Sequence, residues 1–223
     1  MQDQAMGVAL PERKRQPLLA LLALIPLAAC SPYADAERDV AAGGRGLAKL
    51  NPSPQQGYEL VLTLKDAPGP FAVVEGVAQY DARNYAACGR IVPATGTAGR
   101  ITSQEPIALR QVGENEYRGT FYVDRMQDED YYGRGVCHWA LTGVGAMLRA
   151  TTGEADTRFL TFIDKERMEN ESPLTLYYPK LIYPLAATVA NYGASGEENP
   201  SEYSEDLRDA LFSTTTTVQK LAP

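Results

Sequence analysis

One histidine, one tryptophan and three cysteines in 223 residues close off several chemistries at once. A Ser-His-Asp or Cys-His nucleophile must draw on His138. That residue stands between Cys137 and Trp139, where strand alternation turns it to the face opposite both. No GxSxG elbow accompanies it, and "GASG" at 193–196 has the wrong spacing. Without CxxC or HxxxH spacing, a zinc site lacks ligands. Basic residues are also in deficit, 21 Lys and Arg against 28 Asp and Glu. That excludes the cationic patch that nucleic acid or anionic lipid requires. The one long apolar run, near the N-terminus, is too short for an ordinary membrane-spanning helix. No internal repeat is present. The chain therefore reads as non-enzymatic, with no catalytic set, cofactor or bound metal.

What is present begins at the N-terminus. Arg13, Lys14 and Arg15 precede "QPLLALLALIPLAAC", a basic cluster followed by an apolar run and small residues, the layout of a secretory signal. Its ending, Leu27, Ala28, Ala29 and Cys30, resembles the lipobox of bacterial lipoproteins. The resemblance implies cleavage before Cys30, a lipid on Cys30 and, with Ser31 rather than aspartate following, sorting to the periplasmic face of the outer membrane. Acyl chains on one cysteine anchor firmly, at roughly 0.8 kcal/mol per buried methylene. Removing residues 1–29 takes away three basic and two acidic residues, leaving 194 residues with 18 basic and 26 acidic side chains, a net charge of −8. Once Cys30 is lipidated, Cys88 and Cys137 remain, and in an oxidising compartment such a pair forms a disulfide.

Residues 30–56 carry Gly43, Gly44, Gly46, Pro52 and Pro54 and read as a flexible lipidated tether, with at most a short, weak helix in 34–42. A β pattern follows over 57–184. In "YELVLTLK", Tyr58, Leu60, Leu62 and Leu64 alternate onto one face. "DAPGP" then supplies turn chemistry before "FAVVEGVAQYDA", which predicts a hairpin. Residues 89–105 read as a long connection. "PIALRQV" and "EYRGTFYVD" flank a second hairpin turn at 113–115. "GVCHWALTGVGAML" (135–148) is a strand in which Gly143 and Gly145 signal a bulge or a close approach. "TRFLTFI" and the short "LTLYY" complete six or seven strands at meander spacing. The fold class is all-β, an antiparallel β-sandwich. Cys137 and Trp139 share a face, which resembles the tryptophan beside the inter-sheet disulfide of immunoglobulin-like domains, in architecture only. Residues 185–223 concentrate acids, offer one short helix in "SEDLRDALF" with Ser204 as N-cap, and read as a mobile or weakly docked tail.

The most distinctive stretch is "DEDYYGRGVCHW" (128–139). Its second half reads as a staple and core filler. Its first half, Asp128, Glu129, Asp130, Tyr131, Tyr132 and Arg134, combines acids with tyrosines on a loop between strands, the composition of a protein-contact surface. Asp124 with Asp128, Glu129 and Asp130 also suggests calcium by acid density, although the EF-hand spacing is missing. The pattern formed by Cys88, Tyr117, Gly119, Asp124, Tyr132, Gly133, Gly135, Val136, Cys137 and Trp139, across 58–163, resembles periplasmic immunity lipoproteins paired with secreted antibacterial effectors. The resemblance implies a protein partner, an effector that the chain neutralises; no binding residue is carried over from it. The other expectations are an assembly accessory of an envelope complex and a small-ligand or calcium-binding module.

Metabolic palmitate labelling tests the anchor. The wild type should take up label and Cys30→Ala should not; equal labelling would refute lipidation at Cys30.

Overall fold

The computed structural model describes residues 32–42, 44–185 and 192–222. The signal segment and Cys30 lie outside them. Twelve strands follow a short N-terminal helix, α1 (Pro32–Ala41): β1 (Gly57–Lys65), β2 (Val73–Ala82), β3 (Ile91–Val92), β4 (Thr97–Ala98), β5 (Thr102–Ile107), β6 (Arg110–Gly113), β7 (Glu116–Tyr122), β8 (Trp139–Arg149), β9 (Arg158–Asp164), β10 (Leu174–Pro179), β11 (Gly193–Ala194) and β12 (Leu211–Lys220). Between them sit α2 (Tyr85–Cys88), α3 (Lys165–Glu169) and α4 (Glu205–Arg208). Two five-stranded sheets run β10-β12-β1-β7-β6 and β11-β9-β8-β2-β5, with β3 and β4 as a separate small hairpin. All pairings in the large sheets are antiparallel except the short parallel contact of β11 with β9. The molecule is a mostly-β sandwich.

Alternation builds the core between the sheets. Leu60, Leu62 and Leu64 on β1 are buried, as are Ala78 and Tyr80 on β2 and Phe159 and Ile163 on β9. On β8 the parity changes partway. Trp139 and Leu141 face inward, then Val144, Ala146 and Leu148. The shift is made where the register against β2 slips between Gln79 and Tyr80, leaving Thr142 as the extra residue. A bulge inserts one residue and so returns the next set of side chains to the same face. The two glycines after it answer a close approach: a Cβ on Gly145 would lie 2.1 Å from the Thr161 carbonyl, and one on Gly143 would lie 2.4 Å from the Phe162 ring.

The hairpin expected between β1 and β2 does not form. β1 pairs with β7 and β12, whereas β2 pairs with β5 and β8 in the other sheet. "DAPGP" turns the chain across the sandwich rather than back along the same sheet. The expected β6–β7 hairpin is present. The segment expected as a long connection over 89–105 carries the β3–β4 hairpin and the start of β5, and β5 pairs along β2 from Gly76 to Asp81.

The C-terminal region differs most from expectation. The helix appears as the single turn α4, with Ser204 at the N-cap position. Residues 211–220, expected in a mobile tail, form β12, inserted between β10 and β1. Phe212, Thr214, Thr216 and Val218 face the core, and Thr216 meets Thr161 of the opposite sheet hydroxyl to hydroxyl at 2.8 Å. Thr175 and Thr215 pair across β10 and β12 at 3.0 Å. Threonine suits a pleated surface, and the buried Thr214 and Thr216 hydroxyls both have partners, so the run is a strand.

The stretch expected as a tether also differs. From Arg45 onward it is bonded to the domain: Leu50 bridges Met126, the Asn51 amide donates to the Arg125 carbonyl at 2.8 Å, and the Asp124 carboxylate accepts the amides of Gln55 and Gln56 at 2.8 and 2.9 Å. Glycines and prolines broke helical periodicity there but left the side-chain partners invisible.

A chain ending at Ala210 should fail to fold, because it leaves both β1 and β10 without their shared neighbour. Circular dichroism and thermal melting check this: the truncated chain should show no cooperative transition, and a wild-type-like melt would contradict the central role of β12.

Candidate functional site

The loop that leaves β7 at Tyr122 and enters β8 at Trp139 is closed at its neck by backbone and covalent bonds. The Cys137 amide donates to the Glu129 carbonyl at 2.9 Å, and Cys137 is bonded to Cys88 at the end of α2. Both cysteines are buried. The disulfide therefore ties a loop to a helical turn; neither cysteine lies in a strand, and the likeness to the immunoglobulin inter-sheet bridge stops at architecture. A crosslink closing 49 residues stabilises the fold by roughly 4 kcal/mol in the chain-entropy model. Cys137 and Trp139 are buried and His138 is exposed, as alternation predicts.

The acids of this loop are engaged within it. Asp130 accepts the backbone amides of Tyr132, Arg134 and Gly135 at 3.3, 3.0 and 3.1 Å. Those amides, that of Gly135 foremost, hold the Asp130 carboxyl below its ordinary value. The tight turn places Gly133 and Gly135 at φ of +69° and +106°, which only glycine adopts without strain. Asp128 accepts the Trp139 amide at 2.8 Å with one oxygen and contacts His138 Nδ1 at 2.7 Å with the other. Asn84, just before α2, completes the brace: its carbonyl accepts the His138 amide and its amide donates to the Val136 carbonyl, both at 2.8 Å. The Arg134 guanidinium donates to the Gly89 carbonyl. Glu129 pairs with Lys49 at 2.6 Å.

This arrangement limits what the loop can do chemically. Asp124, Asp128, Glu129 and Asp130 each answer a different protein partner. Among the described residues no group of three or more His, Cys, Asp and Glu is placed to hold a metal ion. Cys88 and Cys137 are bonded to each other and offer no thiol. Asp128 and His138 form an acid–imidazole contact, but among the described residues no nucleophile bonds that ring. What the loop does offer is shape. Tyr131 is fixed by a hydrogen bond to the Gln127 carbonyl and accepts the Lys49 amide at 3.3 Å, and Tyr132 stands edge-on to it at 6.5 Å. The side chains of Val136 and His138 on the same loop are exposed.

Two further features stand near the loop; the sequence offers a short helix in 34–42 for the first, but the contacts that hold either feature were not legible in it. The first is α1. Its Tyr33 ring stacks on Tyr132 at 5.9 Å, Arg90 lies 5.4 Å over Tyr33, and Arg90 also pairs with Glu37. Burial against these neighbours raises the Tyr132 phenol above its ordinary value, against the pull of Arg90. Partly exposed cation–π and ion-pair contacts contribute on the order of 0.5–1 kcal/mol each, so α1 is lightly held. The second is a buried carboxylate. Glu105 on β5 receives a two-pronged bond from Arg45, Nε at 2.8 Å and a terminal nitrogen at 2.9 Å, and a third from Ser103 at 2.7 Å. Burial pushes the Glu105 carboxyl up, but the bonds from Arg45 and Ser103 outweigh it and hold it below its ordinary value of 4.5.

The sign of the pH effect follows. A carboxyl whose folded pKa is depressed adds stability above its ordinary pKa, and that stability is lost as the pH falls through the folded value. Near neutrality Arg45→Ala should therefore destabilise by about 3 kcal/mol, the low end for breaking a buried pair, since Arg45 itself is partly solvated. Melting curves of wild type and Glu105→Gln should lie apart at pH 7 and converge as the pH drops below 4.5. A gap that stays constant down to strong acid would show that the Glu105 charge contributes nothing.

No protein-family model, curated protein or solved structure matches the chain, so the role of this loop is argued from its own geometry.

Proposed function

We propose that the chain is a non-enzymatic protein-binding lipoprotein, held at the periplasmic face of the outer membrane through Cys30. Its partner is a protein of the effector class, neutralised in the manner of an immunity protein. The observation that carries the binding reading is the wiring of residues 128–138. Asp128, Asp130, Asn84 and the Cys88–Cys137 bond fix the backbone, so the loop meets a partner with its shape already set. Preorganisation removes much of the ordering cost of association. Tyr131 and Tyr132 add broad, stiff contact area at that rim, the residue type that dominates such interfaces. The net charge of −8 for residues 30–223 favours a basic partner and acts chiefly on encounter rate and salt dependence. The lipid-anchor part of the reading is supported by Arg13–Arg15, the apolar run and "LAAC".

Affinity capture from envelope extracts, with wild type and the Tyr131→Ala, Tyr132→Ala double variant as baits, tests the contact. Truncating true anchors costs roughly 2 kcal/mol or more, about 30-fold in affinity. A double variant that melts like wild type and retains the same partner at the same affinity would falsify the loop as the recognition site.

A further inference from the structure

α1 occupies a groove that adjoins the recognition loop. Tyr33 supplies the ring that stacks on Tyr132 and lies beneath Arg90, and Glu37, one turn later, pairs with the same arginine. The helix carries three acids, Asp35, Glu37 and Asp39, against one base, Arg38. Across from it, the domain side of the groove presents Arg45, Arg90 and Arg100. The fit is incomplete. A cavity of about 200 Å³ remains between helix and domain, with Val40 on one wall and Val92 and Ile101 on the other. Val40 is still 51% exposed, and of residues 33–41 only Tyr33 and Ala36 are even partly buried. A ten-residue helix is too short to persist alone in water, so its docking and its helicity stand or fall together.

We infer that the Arg90–Tyr132 groove is a helix-recognition surface and that α1 is its internal occupant. The external partner docks by replacing α1 with a helix that carries an aromatic residue and, four residues on, a carboxylate. Such a helix takes the stacking position on Tyr132 and the ion pair with Arg90 together, and an apolar side chain on its next turn fills the space that Val40 leaves open. The inference rests on the reading of residues 128–138 as a contact surface. Because α1 is tethered, it competes at the high local concentration of an intramolecular ligand, and the groove is masked until a better-fitting segment arrives.

The probe is a fluorescent peptide of residues 32–42, stapled across the exposed positions Ala34 and Arg38, titrated by anisotropy into the whole chain. It should bind the Tyr33→Ala, Glu37→Ala variant at least tenfold more tightly than wild type, since that variant weakens its own mask. Adding Arg90→Ala to the variant should abolish binding. A second peptide, with alanine at the positions of Tyr33 and Glu37, needs no protein folding control and should not bind either. Equal affinity for wild type and variant, absence of binding to the variant, or full binding by the alanine peptide would each overturn the inference. These outcomes involve only the chain and its own helix, so they leave partner capture through Tyr131 and Tyr132 to stand or fall separately.

Discussion

The pairing of β12 between β1 and β10 is the constraint on which the rest of the sandwich depends. β1 lies between β12 and β7, and β7 carries β6, so the last strand of the chain joins the middle of one sheet. The register runs from Tyr58 opposite Lys220 to Lys65 opposite Ser213, a ladder whose partners are about 150 residues apart in sequence. Closing so long a loop is costly before any contact rewards it, and folding dominated by such pairings is slow. The core shows the same dependence. Phe212 packs against Phe159 at 5.0 Å and Tyr178 at 5.1 Å, so the aromatic centre is assembled from β9, β10 and β12 together. Until β12 arrives, the inner faces of both sheets lack part of their covering.

A second level of organisation sits at the end of the sandwich bearing residues 123–138. There the polar groups do most of the positioning. Asp128, Asp130 and Asn84 satisfy backbone amides that an irregular loop would otherwise leave unpaired, while Arg45 neutralises Glu105 beneath the N-terminal segment. Val136 and His138 are left exposed, whereas Tyr131 and Tyr132 are half-buried and pack against the core.

The sequence disclosed the elements more readily than their neighbours. Leu60, Leu62 and Leu64, or Phe159, Thr161 and Ile163, announce a half-buried strand by alternation alone. Alternation does not say which strand comes alongside, and so "DAPGP" was read as a hairpin turn when it carries the chain between sheets. The β-branched threonines after Asp206 carry the strand signal, since Phe212, Thr214, Thr216 and Val218 have the period of a buried strand, but the acids around Glu202 and Asp206 before them read as a solvated tail. In the loop, Cys137 and Trp139 were legible because they share a face. The role of Asp130 had a local sign in the glycines at 133 and 135, which permit the backbone to fold onto its carboxylate. Arg45 with Glu105, and Tyr33 with Tyr132, had none, since sixty and ninety-nine residues separate the partners and each looks solvated in isolation.

The covalent ring closed by Cys88 and Cys137 has a consequence of its own. It encloses β3 to β7, and of these β5 belongs to one large sheet, where it pairs with β2, while β6 and β7 belong to the other, where β7 pairs with β1. Two hairpin tips within the ring, around 93–96 and 113–115, are exposed. A protease that cuts at either tip severs the chain but not the molecule, because the fragments remain joined through sulfur and laced into the sheets on either side of the cut. Nicking there yields a protein that runs as one species until it is reduced, and the ring confers a tolerance to single cleavages that hydrogen bonding alone would not provide.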